Sequence, residues 1–120
     1  MEQRGVSLSD ICGLVAGRIH TDEASARDKR VEKAFCSDLM SDVLTLLTDN
    51  LLLITGLNNV QAVRTAEMSD IGAILLVRGK EPNEKMVELA HSSGIVLISS
   101  PYSMYRAGGI LFQSGLGYVF

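Results

Sequence analysis

Three short aliphatic runs constrain this chain most: "LLLITG" at 51–56, "GAILLVRG" at 72–79 and "GIVLISS" at 94–100. None alternates apolar with polar residues, and each is bounded by a turn residue. Such runs read as strands buried on both faces. "EKAFCSD" at 32–38 is a fourth, weaker run.

The stretches between the runs carry helix-type stripes. From Ser37 to Thr48 the apolar set is Leu39, Met40, Val43, Leu44, Leu46 and Leu47. From Asn58 to Met68 it is Val60, Val63 and Ala66, and from Pro82 to Ser93 it is Met86, Leu89 and Ala90 with Val87 beside them. From Ser103 to Ser114 it is Tyr105, Ala107, Ile110 and Leu111. The order from about residue 32 is therefore βαβαβαβα. Helical crossovers between doubly buried strands imply a mostly parallel sheet with right-handed connections. The expected fold is a single α/β domain over 1–120, with four to five strands and flanking helices.

The start of the chain differs. "SLSDICGLV" at 7–15 predicts a short helix capped by Ser7 or Ser9, and "GRIHT" at 17–21 an extra strand. "DEASARDKR" at 22–30 is charged and aperiodic, and is expected to be an exposed loop. Residues 1–6 are expected to be disordered.

Composition narrows the functional classes. At 120 residues the chain is long enough to bury a core without disulfides or metals. A net charge of −3 argues against a basic nucleic-acid footprint. No apolar run approaches a membrane span of about 20 residues. Cys12 and Cys36 fit no zinc or CxxC spacing, which points to a reduced, cytoplasmic setting. No GxxxxGK[ST] loop, GxSxG elbow or GxGxxG fingerprint occurs. No catalytic residue, metal ligand or cofactor is therefore assigned.

The candidate site follows from the loops after the strands, where open parallel sheets place their ligands. In "CSDLMSDVL" (36–44), Ser37 stands at the strand-to-helix passage as a cap and Asp38 in the first turn. Asp38, Ser41, Asp42 and Thr45 would share a solvated face. Asn58 or Asn59 can cap the next helix, whose amides could hold an anion. Arg78 stands at the end of the run "GAILLVRG", with Lys80 nearby, and could receive phosphate or carboxylate. Ser99, Ser100 and Tyr102 form a hydroxyl-rich loop after the last run. The candidate ligand-binding set is thus Ser37, Asp38, Asn58, Asn59, Arg78, Ser99, Ser100 and Tyr102. Each of these positions also has a plain structural reading, as a cap or a surface polar group. His20 and His91 receive no role.

"FCSDLMSDVL", "LLLITGLNNVQAV", "GAILLVRGKEPNEKMVELA" and "GIVLISSPYSMYRAGGIL", in this order, resemble a DRTGG domain over about Ser7 to Leu116. Ser37, Asp38, Ser41 and Asp42 match the family's Ser-Asp repeat. The resemblance implies an α/β domain similar to the N-terminal domain of the bacterial HPr kinase/phosphorylase, with a regulatory or ligand-sensing role. Without a phosphate loop, kinase activity does not carry over.

The leading functional expectation is a non-catalytic module that senses a small anionic or nucleotide-like ligand and forms a homodimer. The alternative is a structural dimerisation or docking domain for a protein partner. A third reading, an enzyme with Asp38 or Asp42 as general base, needs a raised carboxylate pKa in a cleft.

Overall fold

The computed structural model describes residues 5–120. Its centre is a six-stranded sheet in the order β2-β7-β6-β5-β4-β8. The four middle strands are β4 (Lys33–Cys36), β5 (Leu51–Thr55), β6 (Ala73–Leu76) and β7 (Val96–Ser99). They run parallel, with Leu52 opposite Ala73 and Ala73 opposite Val96. β2 (Arg18–Ile19) pairs antiparallel with β7, and β8 (Gly117–Tyr118) pairs parallel with β4 on the far edge. A separate two-stranded piece joins β1 (Val6–Ser7) to β3 (Arg30–Val31).

The aliphatic runs are unbroken because the sheet is covered on both sides. Leu52, Ile54, Leu75 and Ile98 pack into one layer with Leu8 and Ile11 of α1 (Leu8–Leu14) and Leu111 of α6 (Met104–Gln113). Their neighbours Leu53, Ile74, Leu76 and Leu97 face the other way. There they meet α3 (Met40–Val43), α4 (Val60–Met68) and α5 (Glu84–Ser92). Period-two side-chain alternation thus feeds two cores from one run of sequence.

Helix starts follow their caps. Ser7, Asn59, Asn83 and Ser103 accept a backbone N–H in the first turns of α1, α4, α5 and α6. Asn83 rather than Pro82 marks the start of α5.

Several expectations are corrected. Residues 22–30 are not a loop: Asp22 caps α2 (Glu23–Asp28), and Ala26 is fully buried. One buried residue in a six-residue helix leaves no periodicity to read. The helix expected over Ser37–Thr48 shrinks to Met40–Val43. Ser37 bonds the amide of Leu39 and Asp38 bonds the neighbouring strand, which holds the entry out of helical geometry. At the exit, both the amide and the hydroxyl of Thr45 bond back to the Asp42 carbonyl in a tight turn. Of the six apolar residues expected on the buried stripe, Leu39, Leu44 and Leu47 are exposed, Leu47 at 99 %, while Met40, Val43 and Leu46 are buried. The sheet has six strands because β8 adds to the expected set. Of the expected disordered stretch, residues 1–4 lie outside the described residues, and Val6 pairs with Val31.

Candidate functional site

The carboxyl ends of β4 to β7 point the same way, so the loops at 37–39, 56–59, 77–83 and 100–103 rise together above one end of the sheet. They are tied to each other by long-range bonds. Oδ1 of Asp38 accepts from the Thr55 hydroxyl at 3.0 Å and the Gly56 amide at 2.6 Å. The amide of Arg78 donates to the Tyr102 carbonyl at 2.7 Å, and that of Gly79 to the Ser100 carbonyl at 3.0 Å. Asn58 Nδ2 donates to the Glu81 carbonyl at 3.3 Å.

Arg78 has the most suggestive placement. Its backbone is left-handed, with φ of 65°. A non-glycine residue in that region costs of order 1–2 kcal/mol unless its surroundings hold it. The two amide bonds into the neighbouring loop do so. Its guanidinium lies against Gly56: a Cβ there would sit 3.0 Å from Nη2 and 3.1 Å from Nε. A methyl there would push the guanidinium back by a few tenths of an ångström. Arg78 is exposed, and among the described residues no carboxylate oxygen comes within 4.0 Å of its side-chain nitrogens. Beside it, the Arg106 guanidinium stacks 3.7 Å above the Tyr102 ring centre. Asp38, Gly56, Arg78 and Tyr102 therefore form one contact chain across four loops.

Ser99 and Ser100 sit at the same strand ends but are buried, and their hydroxyls serve internal partners. Ser99 Oγ lies 2.7 Å from His20 Nε2. Ser100 Oγ donates to the Val15 carbonyl at 2.7 Å and accepts from the Tyr102 amide at 3.1 Å. Asn59 accepts from the Gln61 amide as the α4 cap. Ser37 caps a local turn through the Leu39 amide. These residues shape the loops rather than face outward, apart from exposed Asn58 and Asn59.

His20 was not legible as part of this region. Its Nε2 also lies 4.0 Å from Glu81 Oε2, with the histidine side chain only 10 % exposed. Desolvation holds its pKa below 6.5; Glu81 opposes that shift and Arg18 adds to it. A cavity of about 280 Å³ opens beside this cluster, lined by Arg18, Gly79, Lys80, Glu81, Ser99 and Ser100. The cavity lining thus carries two cations, Arg18 and Lys80, against Glu81, on a chain of net charge −3. No group of three His, Cys, Asp or Glu residues suited to a metal occurs among the described residues.

The model of the DRTGG domain matches residues 10–114. The chain belongs to the DRTGG domain family. The strand-end loops described above all lie within this DRTGG domain. No curated protein matches the chain. Among solved structures, it is similar to the CBS and DRTGG domains of the regulatory region of Clostridium perfringens pyrophosphatase, complexed with the activator diadenosine tetraphosphate. The TM-score is 0.74 at 16% sequence identity, over 92% of this chain and 47% of that one. The chain thus spans about half the length of that structure, and at this identity the likeness shows the fold of a DRTGG domain.

Sequence spacing alone could not find Gly56, Thr55, His20 and Arg106. Their partners stand in other loops, and only the sheet order brings them together. The one local signal was Gly56 closing "LLLITG".

Proposed function

We propose that this DRTGG domain is a regulatory, non-catalytic module that senses a small phosphate-bearing or nucleotide-like anion at the carboxyl ends of β4 to β7. The observation that carries the reading is Arg78: an exposed guanidinium seated on Gly56, among the described residues free of any carboxylate within 4.0 Å, beside the Tyr102–Arg106 stack. A guanidinium fork suits phosphate, and an aromatic or Arg plane suits a base. The contact set is drawn from Asp38, Asn58, Arg78 and Tyr102, with Ser37, Asn59, Ser99 and Ser100 holding the loops.

Related architecture supports the ligand class. The Clostridium perfringens regulatory region was solved with a dinucleotide polyphosphate activator, although it contains CBS domains besides its DRTGG domain. Kinship to the N-terminal domain of HPr kinase/phosphorylase belongs to the same reading. The non-catalytic assignment rests on Asp38, whose Oδ1 is committed to Thr55 and Gly56 and is not poised as a base. Cys12 and Cys36 are free thiols, which suits a reduced cytoplasmic compartment. No helix among the described residues is long and apolar enough to cross a membrane. We also take the module to act as a homodimer.

Thermal-shift titration with inorganic polyphosphates and adenine nucleotides tests the ligand reading. A ligand at a hundredfold excess over its Kd stabilises the fold by about 2.7 kcal/mol. Arg78→Ala should abolish the shift without lowering the unliganded Tm appreciably. No shift with any of these anions overturns the sensing function and leaves the docking-domain alternative.

A further inference from the structure

We infer that the homodimer forms through α6, by a two-fold antiparallel pairing of that helix with its copy about the midpoint of Gly108 and Gly109. This deepens the dimer reading above and is independent of the ligand.

The outer face of α6 reads Tyr105, Gly108, Gly109, Phe112, at the three- and four-residue spacing of one helix face. Tyr105 is 91 % exposed and Phe112 63 %. Between the two rings the helix is bare. A Cβ at Gly109 would meet no atom within 4 Å, and one at Gly108 only the Cys36 sulfur at 3.6 Å. Neither glycine has the positive φ that would require it. Nothing inside one protomer therefore calls for glycine at either position. A notch beside two projecting rings is what a closely approaching second element needs.

The pattern suits a second copy of the same helix. A two-fold axis between Gly108 and Gly109 carries each glycine onto the other and Tyr105 onto Phe112. Every ring of one copy then faces the ring at the opposite end of its mate, as an isologous contact demands. A shallow apolar surface lined by Cys36, Met104, Tyr105, Gly108, Gly109 and Phe112 covers this face. It continues into an apolar cavity of about 190 Å³ between α6 and the β4–β8 edge, bordered by Tyr118. No charged side chain lines either.

The area is sufficient. At about 200 Å² per aromatic side chain, the exposed fractions of Tyr105, Phe112 and Tyr118 amount to roughly 450 Å² of one protomer. A standard interface takes about 800 Å² from each partner, of which about 56–65% is apolar. The three rings thus supply nearly the whole apolar share.

Sedimentation equilibrium of the full chain, with Gly109→Gln and Tyr105→Lys variants, tests this. Both substitutions are made where the protomer has open space or solvent, so far-UV circular dichroism should be unchanged. The expected result is a wild-type dimer and a dimer Kd raised by roughly tenfold or more in each variant. A wild-type dimer that both variants keep at unchanged affinity overturns this interface and leaves the homodimer standing elsewhere. A wild-type monomer at the highest attainable concentration overturns the homodimer as well as this interface.

Discussion

The Asp38 carboxylate reaches across to the next strand and accepts both the Thr55 hydroxyl, at 3.0 Å, and the Gly56 amide, at 2.6 Å. Thr55 is fully buried, so its hydroxyl gains little from solvent if Asp38 is lost. It would keep only the bond it accepts from the Leu57 amide at 3.2 Å. Asp38→Ala should therefore cost about 2 kcal/mol, the scale of losing charge-assisted bonds to poorly solvated donors. Asp38→Asn, which keeps an acceptor oxygen, should cost less. The midpoint of urea unfolding, at unchanged slope, checks both.

Gly56→Ala separates stability from binding. The new methyl meets the movable end of Arg78, not backbone, so the guanidinium can swing aside. Stability should change by less than about 1 kcal/mol, as for substitutions that displace only a surface side chain. Polyphosphate affinity should fall with the loss of the seat under Arg78. Calorimetric titration beside a melting curve reads the two effects. Undiminished binding would show that the Gly56 seat is not needed to place Arg78.

His20 makes stability depend on pH with a definite sign. Burial depresses its folded-state pKa below 6.5, so on acidification the unfolded chain takes up the proton first. The contribution of neutral His20 is complete above pH 6.5 and is lost as pH falls from there through the lower folded pKa. The groups facing it are Glu81, which resists the shift, and Arg18, which enhances it. His20→Gln should flatten the fall in Tm between about pH 7 and 5.5 relative to wild type. An equally steep fall in the variant would show that other groups cause it.

Ser100 joins the Tyr102 loop to α1 within one layer of helices. Its buried hydroxyl donates to Val15 at the end of α1 while holding the Tyr102 amide. Ser100→Ala leaves both backbone groups short of a partner and should cost about 1–3 kcal/mol. Hydrogen exchange should accelerate at the Tyr102 amide and in the last turn of α1. Loss confined to one of the two places would mean that they are not coupled through this hydroxyl.

The central architecture was legible because its signals are local. "LLLIT", "AILL" and "VLIS" declare their double burial without any partner being known, and Asn59 and Ser103 announce the helices they cap. The misread segments answer to distant partners. Asp38 looks like a first-turn residue until Gly56 is beside it. β8 is two residues long and becomes a strand only because α6 returns the chain to Lys33 and Ala34. The site was legible as a set of loops, since strand ends follow from strands. It was not legible which of its polar residues face inward: Ser99 and Arg78 both follow an aliphatic run, yet one is buried on His20 and the other is exposed.

The short outer strands have a consequence for how copies of the domain can meet. The sheet ends in β2 on one side and β8 on the other, each of two residues. At about 3.3 Å per residue, each of these two edge strands offers under 10 Å of unpaired backbone. That is too little template for an incoming strand, and long unblunted edges are what lead to runaway β-pairing. Growth of the sheet from molecule to molecule is therefore shut off at both margins, although its interior is among the most aliphatic parts of the chain. Association is left to side-chain surfaces, which can close after two copies and stop.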